Sequence, residues 1–258
     1  MPRVRLTLQY DGTDFVGWQR QPNGRSVQEV LETALAEFLG AKVTAVAAGR
    51  TDAGVHALGQ VVAFDPPRAL PTKAYVRGLS GVLPGDVAVM AADEVPADFD
   101  PRRWATGKRY RYLISRRPGR APLLRRTHWE VFSALDVEAM QSASTALLGT
   151  HDFTSFRAAD CEAPHPRRTL RELDVQTFGD ILRIEVEGTA FLKHMVRNIV
   201  GSLVEVGRGR RAPAWIAEVL AARDRTRAGP TAPAHGLTLV EVTYGTGPRP
   251  PAPSDAAG

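Results

Sequence analysis

Strand-like and helix-like patterns follow one another in the same order in the two halves of this chain, which restricts the folds it can adopt. Over residues 4–10, apolar side chains alternate with polar ones, the period of a half-buried strand. Ser26, with Glu29 three residues later, forms a capping box at the start of a helix. The apolar stripe over residues 27–38 then ends at Gly40, as expected for an amphipathic helix.

The complete order of elements predicts the fold class. The first half contains predicted strands at 4–10, 43–48, 59–64 and 86–92 and predicted helices at 27–38 and 73–79. The second half contains predicted strands at 108–115, 168–176, 181–187 and 237–244 and predicted helices at 136–148, 193–206 and 213–223. Both halves follow the ferredoxin-like order β-α-β-β-α-β, with one additional helix in the second.

This order predicts an α+β protein of two ferredoxin-like halves. Residues 1–103 form the first half and residues 104–244 the second. Together they are expected to form a mixed, mainly antiparallel sheet core with a central cleft where they meet. Residues 245–258 are rich in Pro, Gly and Ala, and this composition predicts a disordered tail.

Basic charge is concentrated in one segment. Residues 101–126 contain ten Arg or Lys side chains and no acidic one, although the whole chain has a formal net charge of only +5. A local excess of this kind is typical of a binding site for a polyanion such as nucleic acid. The alternative is a solvated, arginine-rich surface, and charge alone leaves both interpretations open.

The sequence excludes several classes of protein. A single cysteine, Cys161, excludes an intramolecular disulfide framework and any multi-cysteine metal site. The six histidines show no HExxH or other close ligand pairing, so no metal is expected. No stretch approaches twenty uncharged apolar residues, and the N-terminus has no apolar signal core. We therefore expect a cytoplasmic protein that does not enter a membrane.

The densest group of side chains capable of chemistry lies in the run GRTDAGVHA, residues 49–57. It places Arg50, Asp52 and His56 on a loop between two apolar strands, with glycines that permit tight turns or close approach of a ligand. A plain hairpin loop, in which Asp52 caps a turn and Arg50 is solvated, explains the same residues. Taken alone, these residues leave both interpretations open.

A longer comparison of motifs separates the two. The run GRTDAGVHALGQVVAF resembles the catalytic loop of the tRNA pseudouridine synthase A family. Further stretches agree with that family in the same order, namely YDGTDFVGWQRQ, SVQEVLE, LPGDVAV, KRYRYLI, HDFTSF and HMVRNIVGSLVEVGRG. They span roughly residues 4–244, and their occurrence in order is far more specific than any one motif.

The resemblance implies an isomerase that converts uridine to pseudouridine at positions 38, 39 and 40 of the tRNA anticodon stem-loop. The glycosidic bond is cut, the uracil turns in place, and its ring carbon five bonds to the ribose. Because this involves no net redox change or hydrolysis, no cofactor is expected, and the chain has no GxxxxGK[ST] loop. The family also suggests a homodimer with tRNA lying across both subunits. The alternative is a non-catalytic RNA-binding protein on the same scaffold.

The resemblance assigns catalytic roles to three residues. Asp52 matches the catalytic aspartate, which attacks the anomeric carbon or removes a ribose proton, and the sequence leaves the two routes open. Arg197 matches the arginine that pairs with it, and the apolar residues around it predict a buried helix in which an unpaired arginine would be costly. Tyr110 matches the active-site tyrosine, for which a phenol pKa near 10 favours stacking on the uracil over a role as base.

Contacts to the substrate are expected from basic and polar side chains near these three. Arg50 is expected to hold the phosphate or ribose next to the target nucleotide. Further candidates for contacts to the RNA backbone are Gln19, Arg20, Lys108, Arg109 and Arg111. Because RNA helices hide base edges in a deep, narrow groove, recognition should rest mainly on tRNA shape and phosphates.

Overall fold

The computed structural model describes residues 2–247, which contain ten strands and five α-helices. The first half holds β1 (Arg3–Tyr10), α1 (Val27–Leu39), β2 (Val46–Ala47), β3 (His56–Phe64), α2 (Thr72–Ser80) and β4 (Val87–Val95). The second half holds β5 (Ala105–Ser115), β6 (Trp129–Glu130), α3 (Val137–Ser144), β7 (Gly149–Asp152), β8 (Arg167–Phe178), β9 (Ile181–Gly188), α4 (Met195–Gly207), α5 (Trp215–Ala222) and β10 (Leu237–Tyr244). Residues 248–258 of the predicted disordered tail lie outside the described residues.

All ten strands belong to one sheet. Eight of them follow the order β4-β1-β3-β10-β5-β9-β8-β7, while β2 pairs with β3 and β6 pairs with β5. In the first half β1 lies between β3 and β4, and in the second half β5 lies between β9 and β10, as in a ferredoxin-like unit. Among the described strands only β3–β10 and β5–β6 are parallel pairs. The predicted α+β class and the mixed, mainly antiparallel sheet are therefore confirmed.

The last strand joins the two halves. In β10, Thr238 and Leu239 lie opposite His56 and Ala57 of β3, in parallel. Along its other edge β10 pairs antiparallel with β5. Because β10 is bonded to both neighbours, the two halves share one continuous sheet. The predicted boundary between residues 103 and 104 falls between β4 and β5 and stays a prediction.

Local sequence signals account for the helix and strand that support the first half. The Ser26 hydroxyl accepts a hydrogen bond from the Glu29 N–H at 3.3 Å and caps the start of α1. Gly40 has a φ of 73°, and its N–H donates to the Ala36 carbonyl at 3.0 Å, which ends the helix. The alternating apolar residues of β1 are buried, as their period predicts.

The structure differs from the predicted elements mainly where strands are short. The predicted strand at 43–48 shrinks to the two residues of β2, and β3 begins three residues earlier than expected, at His56. The predicted helix at 136–148 divides into α3 and a tighter 3₁₀ turn over Thr145–Leu147. The sequence did not predict β6 or β7, because strands of two and four residues are too short to show a period.

The helix α4 lies deep in the second half and carries Arg197 near its start. Eleven of its thirteen residues are buried, as the apolar sequence of this segment predicts. Because these buried residues are closely packed, they fix the position of the helix backbone that carries Arg197. A membrane-crossing helix is not found anywhere in residues 2–247.

We expect Gly59→Ala to weaken the junction between the halves. A Cβ atom at this position of β3 would lie 2.5 Å from the Val240 carbonyl oxygen of β10, so the two strands would have to separate. The free energy of unfolding, measured in urea, should fall by about 1–3 kcal/mol. The control is Gly85→Ala, where an added Cβ meets no atom within 4 Å. Equal free energies of unfolding for the two variants would contradict this expectation, because β3 and β10 would then accept the added methyl group without loss of stability.

Candidate active site

The loop that carries Asp52 is braced by the loop that follows β1. The Thr51 carbonyl accepts a hydrogen bond from the Trp18 N–H at 3.0 Å, and the Asp52 carbonyl accepts one from the Val55 N–H at 3.1 Å. Gly17 permits this close approach, because it has a φ of 114° and an added Cβ would lie 2.7 Å from the Thr51 carbonyl oxygen. The backbone around Asp52 is therefore fixed by its neighbours on both sides.

Asp52 is paired with an arginine from the other half of the chain. Its Oδ2 atom lies 3.2 Å from an Nη atom of Arg197, while the Arg197 Nε donates to the Ala232 carbonyl at 2.8 Å. The side chain of Arg197 is 15% exposed and that of Asp52 is 27% exposed. Because the guanidinium is held at two points and largely shielded from water, it fixes the position of the carboxylate.

His194 also lies beside Asp52, and sequence reasoning did not select it. Its Nε2 atom is 3.5 Å from the Asp52 Oδ2, and its φ of 62° places it in the left-handed region just before α4. Burial lowers the pKa of His194, Asp52 opposes this change, and the Arg197 charge adds to it. A neutral imidazole leaves Arg197 as the charge partner of Asp52. The spacing HMVR, which puts His194 three residues before Arg197, was the available signal.

Tyr110 is buried close to this pair. It is 8% exposed, and its ring meets the Phe191 ring edge to face, with centroids 5.0 Å apart. Burial raises the pKa of Tyr110 well above its ordinary value near 10, and both Tyr10 and Asp52 act in the same direction. The phenol therefore stays protonated at neutral pH, and its stacking on the uracil stays a prediction.

Tyr10 is hydrogen-bonded to the Asp52 loop, and its buried hydroxyl makes the free energy of unfolding depend on pH in alkali. Its hydroxyl lies 2.8 Å from the Thr51 Oγ1, and burial raises its pKa to about 12. Between pH 10 and 12 only the unfolded chain releases this proton, so the free energy of unfolding should fall by about 1.4 kcal/mol per pH unit from Tyr10 alone. Urea unfolding at pH 9, 10 and 11 should show a shallower decline for Tyr10→Phe than for wild type, and parallel declines would contradict the assignment.

The other predicted substrate contacts on the first half are exposed or close to the Asp52 loop. Arg50 has a 66% exposed side chain, 3.7 Å from the Glu162 carboxylate. Gln19 and Arg20 follow Trp18, and Arg20 pairs with Glu32 at 3.1 Å. In the second half, the Lys108 Nζ donates to the Ala48 carbonyl at 2.8 Å, directly before the loop. The structure thus brings Lys108 to the start of the loop that holds Arg50 and Asp52.

Two predicted contacts, Arg109 and Arg111, lie on the opposite face of the sheet from Tyr110. Successive strand residues point to opposite faces, so the two arginines of β5 share a face that excludes the tyrosine. Arg109 pairs with Glu187 and Arg111 with Glu185, each at 2.7 Å. The structure does not bring these two side chains to the Asp52 cluster, and their contact with RNA stays a prediction.

His56, at the end of the loop motif, is buried and bonded to the backbone of two neighbouring segments. Its imidazole is 7% exposed; Nδ1 accepts a hydrogen bond from the Gly12 N–H at 3.0 Å, and Nε2 lies 2.7 Å from the Arg126 carbonyl. These contacts tie the start of β3 to the loop after β1 and to the end of the basic segment. Across residues 2–247, no three His, Cys, Asp or Glu side chains are grouped so that they could hold a metal ion.

Comparisons with known proteins identify the family of this chain. A family model for tRNA pseudouridine synthase matches residues 7–102 and 143–245. The chain is 64% identical over 249 residues to tRNA pseudouridine synthase A of Myxococcus xanthus, covering 96% of this chain and 94% of that protein. It is 52% identical over 253 residues to the protein of the same name from Acidiphilium cryptum, covering 97% and 99% of the two chains. The corresponding protein of Geobacter sulfurreducens is 48% identical over 244 residues, covering 95% and 100%.

The match includes two of the residues that form the site. Asp52 and Arg197 each lie inside a matched segment, whereas Tyr110 lies between the two. A likeness of this extent makes the chain a pseudouridine synthase, an enzyme of the isomerase class. Within that class, the chain belongs to the tRNA pseudouridine synthase A family. A chain of a solved Cbf5-Nop10-Gar1 complex aligns over 92% of this chain and 48% of its own length, at 11% identity and a TM-score of 0.38, too low to add to this assignment.

Proposed function

We propose that this chain isomerises uridine to pseudouridine at positions 38, 39 and 40 of the tRNA anticodon stem-loop, with Asp52 as the catalytic carboxylate. The observation that carries the proposal is the ion pair between Asp52 and Arg197, 3.2 Å long and formed between the two halves beside Tyr110. A carboxylate that is held by an arginine, partly exposed and beside a buried aromatic ring can meet the sugar of an extruded nucleotide.

The reaction needs one bond exchanged for another. The bond between the ribose C1′ and the uracil N1 breaks, the ring turns, and C1′ bonds to C5. The proton on C5 leaves, and N1 ends with a proton, so the product is an isomer of the substrate. Asp52 either attacks C1′ and leaves when C5 attacks, or removes the C2′ proton and later returns it. In both routes Arg197 holds the Asp52 carboxylate in place until it reacts.

Tyr110 is proposed to stack on the turning uracil. Its ring is buried close to Asp52, and its raised pKa keeps the hydroxyl protonated in the neutral range. A protonated phenol can donate a hydrogen bond but cannot remove the proton from C5. The stack would keep the cleaved uracil next to C1′ until the new bond forms.

Recognition of tRNA is proposed to rest on phosphate contacts rather than base contacts. Arg50 lies on the Asp52 loop and Lys108 contacts its start, while Gln19 and Arg20 lie on the loop that braces it. Arg109 and Arg111 are proposed as contacts outside the immediate site. We further propose that the enzyme acts in the cytoplasm as a homodimer, so that one tRNA contacts both subunits.

The direct test is incubation of the purified chain with an unmodified tRNA transcript carrying uridines at 38, 39 and 40, followed by chemical mapping of pseudouridine. We expect product at these positions and none in a transcript in which the three uridines are replaced by cytidine. Product only at other positions would overturn the proposed site of action. A protein that only binds RNA would show salt-dependent affinity without product, which separates it from the enzyme.

A further inference from the structure

The loop over residues 157–166 places two carboxylates against two cations beside Asp52. The Asp160 carboxylate accepts a hydrogen bond from the Lys193 Nζ at 2.6 Å. The Glu162 carboxylate lies 3.7 Å from a guanidinium nitrogen of Arg50. The two cations come from different halves of the chain, since Arg50 precedes Asp52 by two residues and Lys193 directly precedes His194. One loop therefore pairs with two cations that neighbour Asp52, Arg50 along the chain and Lys193 through its charge interaction with Asp52.

The loop is attached to the site through its backbone. The Ala158 N–H donates to the Lys193 carbonyl at 2.9 Å, and the Cys161 N–H donates to the Ala158 carbonyl at 3.1 Å. The turn formed by these bonds carries Asp160, and Glu162 follows it directly. Because the loop is hydrogen-bonded to the Lys193 backbone, its position next to the two cations is fixed by the fold.

All four charged side chains remain open to solvent. The exposed fractions are 42% and 71% for Lys193 and Asp160, and 66% and 88% for Arg50 and Glu162. Ion pairs in such positions are weak and exchange readily. A phosphodiester group of RNA carries the same unit negative charge on two oxygens as a carboxylate does, so it can replace a loop carboxylate at either cation.

We propose that Arg50 and Lys193 bind phosphates on the two sides of the extruded nucleotide, and that Asp160 and Glu162 occupy these cations until RNA displaces them. This inference rests on the proposed function, because the phosphates belong to the tRNA substrate. The two carboxylates act as internal competitors of the RNA. They weaken its binding and keep both cations paired when no RNA is present. Lys193 becomes a substrate-binding residue, and Asp160 and Glu162 become residues that set the affinity.

The test compares two variants with the same change in net charge. Asp160→Asn/Glu162→Gln removes the two competitors, whereas Asp65→Asn/Asp93→Asn removes two carboxylates that pair with Arg3 and Arg5. Affinity for an unmodified tRNA transcript is measured at 50 mM and 200 mM salt. We expect the first variant to bind about 5- to 30-fold more tightly than wild type at low salt and the control to change by less than about twofold.

Lys193→Gln tests the cation directly. The slope of the logarithm of affinity against the logarithm of salt concentration should become shallower by about 0.7–0.9, the loss of one phosphate contact. Added to Asp160→Asn/Glu162→Gln, the same change should remove a large part of the gain in affinity, since the gain depends on a released lysine.

Two results would overturn the inference, namely equal affinity of the two charge-matched variants or a salt slope that Lys193→Gln leaves unchanged. Pseudouridine mapping of the wild-type reaction reports on the proposed function independently. Wild-type product without any gain in affinity refutes the inference alone. Absence of wild-type product at positions 38–40 refutes the proposed function.

Discussion

Asp52→Asn should abolish pseudouridine formation while tRNA affinity stays within about twofold of wild type. The amide is nearly the same size as the carboxylate and can still accept a hydrogen bond from Arg197, so the loop should keep its shape. It has no negative charge, however, and can neither attack C1′ nor remove a ribose proton. We expect turnover to fall by at least about 10⁴-fold, the scale on which loss of a catalytic nucleophile acts.

Single-turnover mapping of the tRNA transcript measures this loss, and filter binding measures the affinity. The matched control is Asp14→Asn, which makes the same chemical change on the neighbouring loop, at a carboxylate 3.8 Å from the Arg126 guanidinium. The control should turn over at nearly the wild-type rate. Product from Asp52→Asn at that rate would remove Asp52 from the mechanism and leave the ion pair as a structural contact.

Arg197→Lys should lower turnover by about 100- to 1,000-fold with little change in tRNA affinity. The guanidinium makes two separate contacts, to the Ala232 carbonyl through Nε and to Asp52 through an Nη atom. A lysine keeps the charge, but its single ammonium group cannot occupy both places. Asp52 would then lose its fixed position while the site kept its net charge.

The loss should appear in kcat rather than in KM, because Arg197 acts on Asp52 and not on the RNA. Arg5→Lys, at a surface arginine paired with Asp93 3.0 Å away, is the control for the same exchange. Thermal unfolding of both variants separates catalysis from folding. A folded Arg197→Lys protein with an unchanged kcat would show that Arg197 does not position Asp52.

Sequence patterns predicted the long helices and strands, in which a periodic pattern extends over many residues, and they failed for the short strands. The cap residues Ser26 and Gly40 and the alternation in β1 identified α1 and β1 closely, because each signal acts within a few residues. By contrast, β7 forms because β8 lies beside it and offers backbone partners. Such pairing depends on contacts distant in sequence, which no local period reveals.

The candidate site shows the same division. The partnership of Asp52 and Arg197 joins residues 145 positions apart, and only the resemblance to a family suggested it. The placement of Arg109 and Arg111 away from Tyr110 could have been predicted, since alternation along β5 already separates their faces. The sequence motif offered His194 through its spacing from Arg197, but its backbone conformation and its contact with Asp52 required the fold.

The central place of β10 has a consequence for synthesis of the protein on the ribosome. Its partner strand β3 ends at Phe64, whereas β10 begins only at Leu237. At ordinary translation speeds the growing chain therefore keeps one edge of β3 open for roughly ten seconds or more. Ala232, which anchors the Arg197 guanidinium, also emerges late. A nascent chain stopped before these residues would carry Asp52 while the Arg197 guanidinium lacked its Ala232 anchor, and it would expose an unsatisfied strand edge that favours aggregation.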